Sequence, residues 1–296
     1  MLWLFRLLMF VVAFVAVSAD SIKYSYDAAG RLVKADYGAA GVINYTYDKA
    51  GNLLTRQVQT SGGPVITGVV NAFGNSTTLS PNTWTSVKGS GFSATTRNWL
   101  GPDFVNNQMP IALDGVSVTM NGKNCYVYYV SDTFLNVLTP PDLATGQVQT
   151  VVTTGGKASA AFTSQAQPLS PSFFVFDGVH ITGTHVDASL LGPTTLYPGF
   201  STPAKPGETL IVYGNGFGPT SVPVVTGSVV QSGVLAPRPV VKIGNNIADV
   251  TFAGLVAPGE FQFNIVAPAS TPDGEIPVTA TYSGLTTPVA ILAVQH

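Results

Sequence analysis

Two histidines, His180 and His185, stand beside Asp177 and Asp187 in one short stretch, a set of side chains that could ligate a metal. Metal ligands must converge, whereas positions separated by an odd number face opposite sides of a strand. The stretch therefore reads as a hydrogen-bonded connector. The oxygen-rich turns Asp103 to Asn107 and Asp273-Gly274-Glu275 lack the regular ligand spacing of a calcium loop and read as turns. Hydrolytic chemistry finds little support: no Gly-x-Ser-x-Gly elbow is present, and His180, His185 and His296 fit no triad order. Glutamate occurs only at 208, 260 and 275, a thin supply for paired carboxylates, although loops of a β fold can bring distant carboxylates together. Cys125 has no partner in the chain and no nearby histidine, and reads as a small buried strand residue. No catalytic residue, no metal ligand and no cofactor are assigned.

Two indoles offer a different chemistry. If Thr85 and Val87 face a core, Trp84, Ser86 and Lys88 share the outward face, where an indole makes a platform for a sugar or a protein partner. Trp99 lies in a long polar insertion, Ser93 to Asp114, the one connection of its region long enough to be a binding loop. Trp84 and Trp99 are thus the candidate ligand-binding residues. The alternative, preferred here, is that both cover an edge or pack between domains.

Gly89-Ser-Gly91-Phe92 and Gly214-Asn-Gly216-Phe217 each follow a strand pattern, as a phosphate-binding glycine loop would, but lack its further glycine and helix. Gly89, Gly91, Gly214 and Gly216 therefore read as structural turn positions that bend the strand end, with Phe92 and Phe217 folded over a core.

The elements that position these residues are strands. Charged residues make up only 9% of the 296, with 31 Gly and 21 Pro, and short Thr/Val/Ser runs recur without a sustained helical period. The Gly-x-Gly-Phe segments recur at an offset of 214 − 89 = 125, and Asn136-Val137-Leu138-Thr-Pro140 returns as Asn264-Ile265-Val266-Ala-Pro268 at 264 − 136 = 128. One fold is used twice. Strands are expected to begin near Trp84, Val116, Cys125, Thr133, Gln147 and Ala158, then near Thr209, Val240, Ala248, Phe261, Ile276 and Val289. Ala248, Val250 and Phe252 alternate with Asp249, Thr251 and Ala253, so one face suits a core. Short strands with Gly and Pro turns and no cysteine pair predict two tandem immunoglobulin-like β-sandwiches.

Ahead of them, Tyr24-Ser-Tyr26-Asp27-Ala-Ala-Gly30-Arg31-Leu32 recurs after 21 residues as Tyr45-Thr-Tyr47-Asp48-Lys-Ala-Gly51-Asn52-Leu53. Tyr-x-Tyr places both rings on one strand face, and Asp-x-x-Gly supplies turn chemistry, so a meander of about four strands is expected over residues 22 to 59. Residues 1 to 19 form an apolar run with Arg6 near its start and Val17-Ser18-Ala19 at its end, the pattern of a signal peptide cleaved after Ala19. An uncleaved membrane anchor is the competing reading. The predicted domains are 1–19 signal peptide, 20–62 repeats, 63–168 first sandwich, 169–203 connector and 204–296 second sandwich.

The repeated Tyr-x-Tyr-Asp-x-x-Gly-(Arg/Asn)-Leu resembles the YD repeat of RHS-type proteins, a family whose many repeats wind into a β shell. Two repeats cannot enclose anything and read as a spacer or remnant, or as a recognition surface. The body resembles tandem IPT/TIG-type Ig-like domains, and more closely the C-terminal region of Solibacter-type secreted proteins. Asn71-Ala72, Gly89-Ser-Gly91, Leu113 to Val118 and Asn136-Val137-Leu138 carry this in the first half. Pro203 to Thr209, Tyr213 to Pro219 and Pro258 to Asn264 carry it in the second. The resemblance implies exported, multi-domain surface architecture and brings no catalytic residues.

With 13 Lys plus Arg against 15 Asp plus Glu and no basic patch, the footprint of a nucleic-acid binder is missing. The function expected is that of a non-catalytic, secreted or cell-surface interaction or adhesion-type protein, with an extracellular protein or glycan as partner and a membrane only if the leader stays attached. A carbohydrate-binding accessory module is the alternative, and a hydrolase with a loop-built site ranks third.

Overall fold

The computed structural model describes residues 22–37, 41–59 and 63–296, in which the regular elements are strands and a single turn of 3-10 helix, Gly101–Asp103. The predicted leader lies outside the described residues. Strands β1 (Lys23–Tyr26), β2 (Leu32–Asp36), β3 (Val42–Tyr47) and β4 (Leu53–Gln59) form an antiparallel meander in that order, as the repeat predicts. In each repeat the aspartate ties down its own turn. Asp27 Oδ1 accepts from the amides of Ala29 (3.0 Å) and Arg31 (2.9 Å), and Asp48 Oδ1 from those of Ala50 (2.9 Å) and Asn52 (2.8 Å). Gly30 and Gly51 complete the turns at φ 77° and 91°. At the position where the repeats differ, Arg31 does more than Asn52. Its Nη1 donates to the Asp48 carbonyl (3.1 Å) and its guanidinium lies 4.9 Å from the Tyr47 ring centre, while the Tyr47 hydroxyl donates to the Leu32 carbonyl (2.9 Å). Arg31 and Tyr47 sew the two repeats together.

The first sandwich has one sheet ordered Val65–Asn71, Trp84–Ser90, Phe134–Leu138, Tyr126–Val130, Arg97–Asn98. The other is ordered Lys123–Asn124, Val116–Met120, Gly146–Thr154, Phe162–Ala166, Thr78–Leu79. Alternation does the sorting: Val116, Val118 and Met120 from one sheet meet Val87, Val127, Leu135 and Val137 from the other in a closed core. Cys125 is fully buried there, and that burial raises its thiol well above the usual range.

In the second sandwich the strand Asn246–Ala257 belongs to both halves. It pairs with Glu260–Val266 on one side and with Val240–Ile243 on the other. The expected alternation holds for Ala248 and Val250, both buried, and then breaks. A register shift between Val250 and Phe252 inverts the parity, so Ala253 and Leu255 enter the core and Phe252 does not. An extra residue in one strand turns every following side chain to the other face, and alternation alone does not reveal it.

The predicted connector 169–203 is corrected. Ser172–Phe173, Gly183–His185, Leu190–Leu191 and Ser201–Thr202 all join the sheet of Thr209–Asn215, and Phe173, Ile181 and Leu191 lie in the second core. Ser172–Phe173 stands beside Thr209–Asn215 as Val65–Asn71 stands beside Trp84–Ser90. Both are leading strands, adjoining the sequence-predicted domain boundaries, that complete their sheets.

That pairing explains Gly-x-Gly-Phe, whose two glycines have different tasks. Gly91 and Gly216 take φ 71° and 72° and are turn residues as expected. Gly89 and Gly214 are not. They lie within their strands, where a Cβ would run into a neighbouring carbonyl, that of Val65 for Gly89 and that of Ser172, at 2.6 Å, for Gly214, and would crowd the ring of Phe92 or Phe217. The first glycine admits the phenylalanine and the leading strand; the second turns the chain so that the ring folds back, fully buried.

The sandwiches are joined by a buried interface. Trp84, predicted to face outward, does so relative to its own core, but that face is covered and the residue is 1% exposed. Its Nε1 donates to the Pro258 carbonyl of the second sandwich at 2.9 Å. Phe73 stacks on Phe174 with ring centres 3.9 Å apart. Asn215 Nδ2 donates to Asn71 Oδ1 and to the Trp84 carbonyl, each at 3.2 Å, and Asn82 Nδ2 donates to Gln231 Oε1 at 2.8 Å. The hairpin tip Pro258-Gly259 seats against Trp84 and Leu138, where a Cβ on Gly259 would collide with Leu138. Next to it Glu260 is buried, and burial pushes its carboxyl up to about 7.

Three outcomes follow. Gly216→Ala must force φ 72° on an alanine and drive its Cβ into the Ser170 carbonyl, so it costs more than about 2 kcal/mol. Gly30→Ala meets no atom and costs only the left-handed backbone strain of φ 77°, about 1–2 kcal/mol; chemical denaturation of the two variants compares them. Trp84→Ala removes a fully buried indole and leaves the Pro258 carbonyl unpaired, a loss of about 3–5 kcal/mol. Calorimetry should then show one melting transition resolving into two. For Glu260 the folded pKa of about 7 exceeds the ordinary 4.5, so the folded state holds the extra proton between those values. Stability carries no penalty below the lower value, falls as pH rises through the window, and stays reduced above it, by about 3 kcal/mol at most. Glu260→Gln should raise the melting temperature at pH 8 and leave it unchanged at pH 4, which a melting series over pH measures.

Candidate functional site: a groove where the sandwiches meet

The insertion Ser93 to Asp114 has two anchors. Arg97 grips Asp103 with two bonds (Nη1 to Oδ2 2.7 Å, Nη2 to Oδ1 3.1 Å) and Asp114 with Nη2 (to Oδ1, 2.7 Å) and Nε (3.0 Å to each oxygen). Thr95 also donates to Asp114. The carboxylates hold the guanidinium proton more tightly than usual, and Arg97 keeps both carboxyls below their ordinary value. At the far end, Met109 N donates to the Gly227 carbonyl of the second sandwich (2.8 Å), and Gln108 makes a bridge to Ser228. Gly227, at φ 80°, has no room for a Cβ beside the Gln108 side chain.

Between these anchors runs an open groove of about 580 Å³. The insertion gives one wall through Asp103, Val105 and Gln108 to Ile111. Tyr126, Lys123, Asn124, Pro140 and Asp142 form the floor, and Thr226 and Gly227 form the facing wall. The rim is aliphatic. Val105 and Ile111 stand exposed on one side, and Val225, next in sequence to Thr226 of the facing wall, is 66% exposed.

The ionisable groups of the groove are already engaged. Lys123 Nζ meets Asp142 Oδ2 at 2.6 Å and holds that carboxyl below its ordinary value, as Arg97 does for Asp103. Burial, with the Asp142 charge, pushes the Tyr126 phenol up. Two carboxylates held ionised lack the raised partner that acid catalysis of glycoside cleavage uses.

Of the residues singled out in the sequence, neither Trp84 nor Trp99 lines this groove. Trp99 is half-buried and makes edge contacts with Trp84 (5.8 Å), Tyr128 (5.1 Å) and Phe104 (5.0 Å), bracing the insertion from beneath. Both indoles are interface residues, so the platform reading is corrected. His180 lies between Asp177 (Nδ1 to Oδ2 2.7 Å) and Glu275 (Nε2 to Oε2 2.9 Å). Burial opposes its charged form, yet the two carboxylates raise its pKa. His185 pairs separately with Glu208 at 2.9 Å. The histidines do not converge, and among the described residues no group of three or more His, Cys, Asp or Glu could hold a metal ion. The sequence reading missed Arg97, Gln108, Tyr126 and Gly227; the Arg97, Asp103 and Asp114 charges inside an otherwise polar insertion were the available signal.

Among solved structures, the chain is similar to SGBP-B of the mixed-linkage glucan utilization locus of Bacteroides ovatus, solved with a mixed-linkage heptasaccharide. That match has 12% identity and a TM-score of 0.34, and covers 94% of this chain and 61% of that one. It is also similar to SGBP-B from a complex xyloglucan utilization locus in Bacteroides uniformis (18% identity, TM-score 0.21, 78% of this chain and 49% of that one). A third match is the gamma-CGTase of Alkalophilic bacillus clarkii (11% identity, TM-score 0.27, 86% of this chain and 31% of that one). The chain thus spans less than two thirds of each. No curated protein matches it. Two family models match: RHS Repeat over residues 26–65, the stretch that holds most of the meander, and IPT/TIG domain over residues 64–171, the stretch of the first sandwich.

Proposed function

We propose that this is an exported, non-catalytic binding protein whose paired Ig-like sandwiches hold an extracellular protein partner in the junction groove. The observation that carries the reading is that the groove has one wall from each sandwich, fixed in place by the Trp84–Pro258 and Met109–Gly227 contacts, and an exposed aliphatic rim. Exposed aliphatic side chains around a rigid polar floor suit an apolar peptide side chain with its backbone hydrogen-bonded beside it. Sugar recognition favours an exposed aromatic face, whereas Trp84 is enclosed and Trp99 is half-buried against Trp84, Phe104 and Tyr128. A second reading keeps a glycan as ligand, because Gln108, Asn124, Lys123 and Asp142 surround Tyr126 with polar groups. Export rests on the apolar run and Ala19 at the head of the sequence. The absence of catalysis rests on the engaged carboxylates of the groove and on the place of Glu260, sealed at the interface.

Selection from a displayed random-peptide library against the purified exported protein, run beside a glycan array, tests the proposal. Apolar peptides should emerge with dissociation constants of about 10–100 μM. Val105→Asp and Val225→Asp should each weaken their binding at least about tenfold at unchanged melting temperature. Array glycans bound in place of peptides, with binding lost in Asn124→Ala, would establish the second reading instead. Turnover of a polysaccharide or peptide, abolished by Asp142→Asn in a fully folded protein, would overturn both.

A further inference from the structure

The meander carries the two halves of one contact on its opposite edges. Inside the chain, β2 of the first repeat joins β3 of the second, with Lys34 opposite Asn44 and Ala35 opposite Ile43. The Tyr47 hydroxyl on the Leu32 carbonyl closes this junction. Advanced by the 21-residue period, β2 becomes β4, and β3 maps back onto β1. The partners of the next such junction are therefore β4 of one copy and β1 of another. Thr55 would face Lys23 and Arg56 would face Ile22, and Tyr26 would reach the Leu53 carbonyl as Tyr47 reaches that of Leu32. Tyr26 and Leu53 are the residues left open, 61% and 53% exposed. Among the described residues β1 and β4 each pair on one side only.

We propose that the meander is a head-to-tail assembly site for a second copy of this chain, the β4 edge of one molecule pairing with the β1 edge of the next and repeating the β2·β3 junction. The occupant is a second copy because both surfaces are present on every molecule in matching register, each the period-related image of a contact the chain already makes. The contact is heterologous and does not close at two subunits, so it builds linear chains. It is also weaker than its internal counterpart, because Asn52 stands where Arg31 spans the junction to the Asp48 carbonyl. Reversible association follows. This proposal is independent of the groove and of its ligand.

The exported protein carrying both Lys23→Cys and Thr55→Cys provides the test. Within one molecule those positions lie on opposite edges of the four-stranded sheet, at least about 14 Å apart at ~4.8 Å per strand spacing and further still because Lys23 stands in register with Gln59 and not with Thr55, beyond disulfide reach. Cys125 is buried and does not compete. Mild oxidation should give a ladder of linked dimers, trimers and higher species, whereas either single substitution should give no more than dimers. In sedimentation, Asn52→Arg should lower the concentration of half-association at least fivefold and Tyr26→Ser should raise it by a similar factor, with the sandwich melting transition unchanged in both. A single-chain mass up to millimolar concentration together with no ladder overturns the proposal. Association that ignores both Tyr26→Ser and Asn52→Arg overturns it as well, since another surface would then be responsible.

Discussion

One indole sets the geometry of the molecule. Trp84 begins a strand of the first sandwich, closes the aromatic cluster beneath the insertion, and gives its N–H to the Pro258 carbonyl at the hairpin tip of the second sandwich. With the Phe73–Phe174 stack, the Asn71–Asn215 bond and the Met109–Gly227 bond, that contact holds the two walls of the groove in one frame. Around it, burial excludes water from Asn71, Asn82, Asn215 and Gln231, which must then find one another. Not all of their atoms succeed, for Asn82 Oδ1 and Asn215 Oδ1 have no partner. The matched pairs favour one docking, since polar groups that must be satisfied tolerate few alternative registers.

The amino-acid sequence displays the strands well because their determinants are local. Expected starts near Trp84, Val116, Thr209, Val240 and Ile276 coincide with or lie within a few residues of observed strands, and Asp27 and Asp48 organise their turns through bonds confined to a few residues. What was hidden depended on contacts distant in sequence. The outward face of Trp84 was legible, but that a hairpin tip 174 residues away would cover it was not. The bulge after Val250 arises from how Asn246–Ala257 serves two neighbours, and alternation carries no mark of it. Leading strands such as Ser172–Phe173 are too short to show a period, and they become strands only because Gly214 leaves a gap for their backbone.

Of the candidate site, the insertion was visible as a long polar connection, and its companion wall was not. Thr226 and Gly227 sit in an irregular loop whose sequence announces nothing but turns. Gly227 is held at φ 80°, a conformation that favours glycine, and its carbonyl takes the Met109 amide of the other domain. The glycine pairs tell the same story in smaller compass: one of each pair serves its own turn, and the other serves a neighbouring strand.

The strand Asn246–Ala257 pairs in both halves of its sandwich, holds Gly233–Val234 at the base of the loop that bears Thr226 and Gly227, and leads directly into the tip that meets Trp84. Its covalent backbone therefore runs from the pairing with Val240–Ile243 to the interface tip without passing through a layer of side chains. The two parts of the second sandwich and its docking tip are thus stations on one main-chain path, and they cannot separate without breaking ladder bonds along that strand.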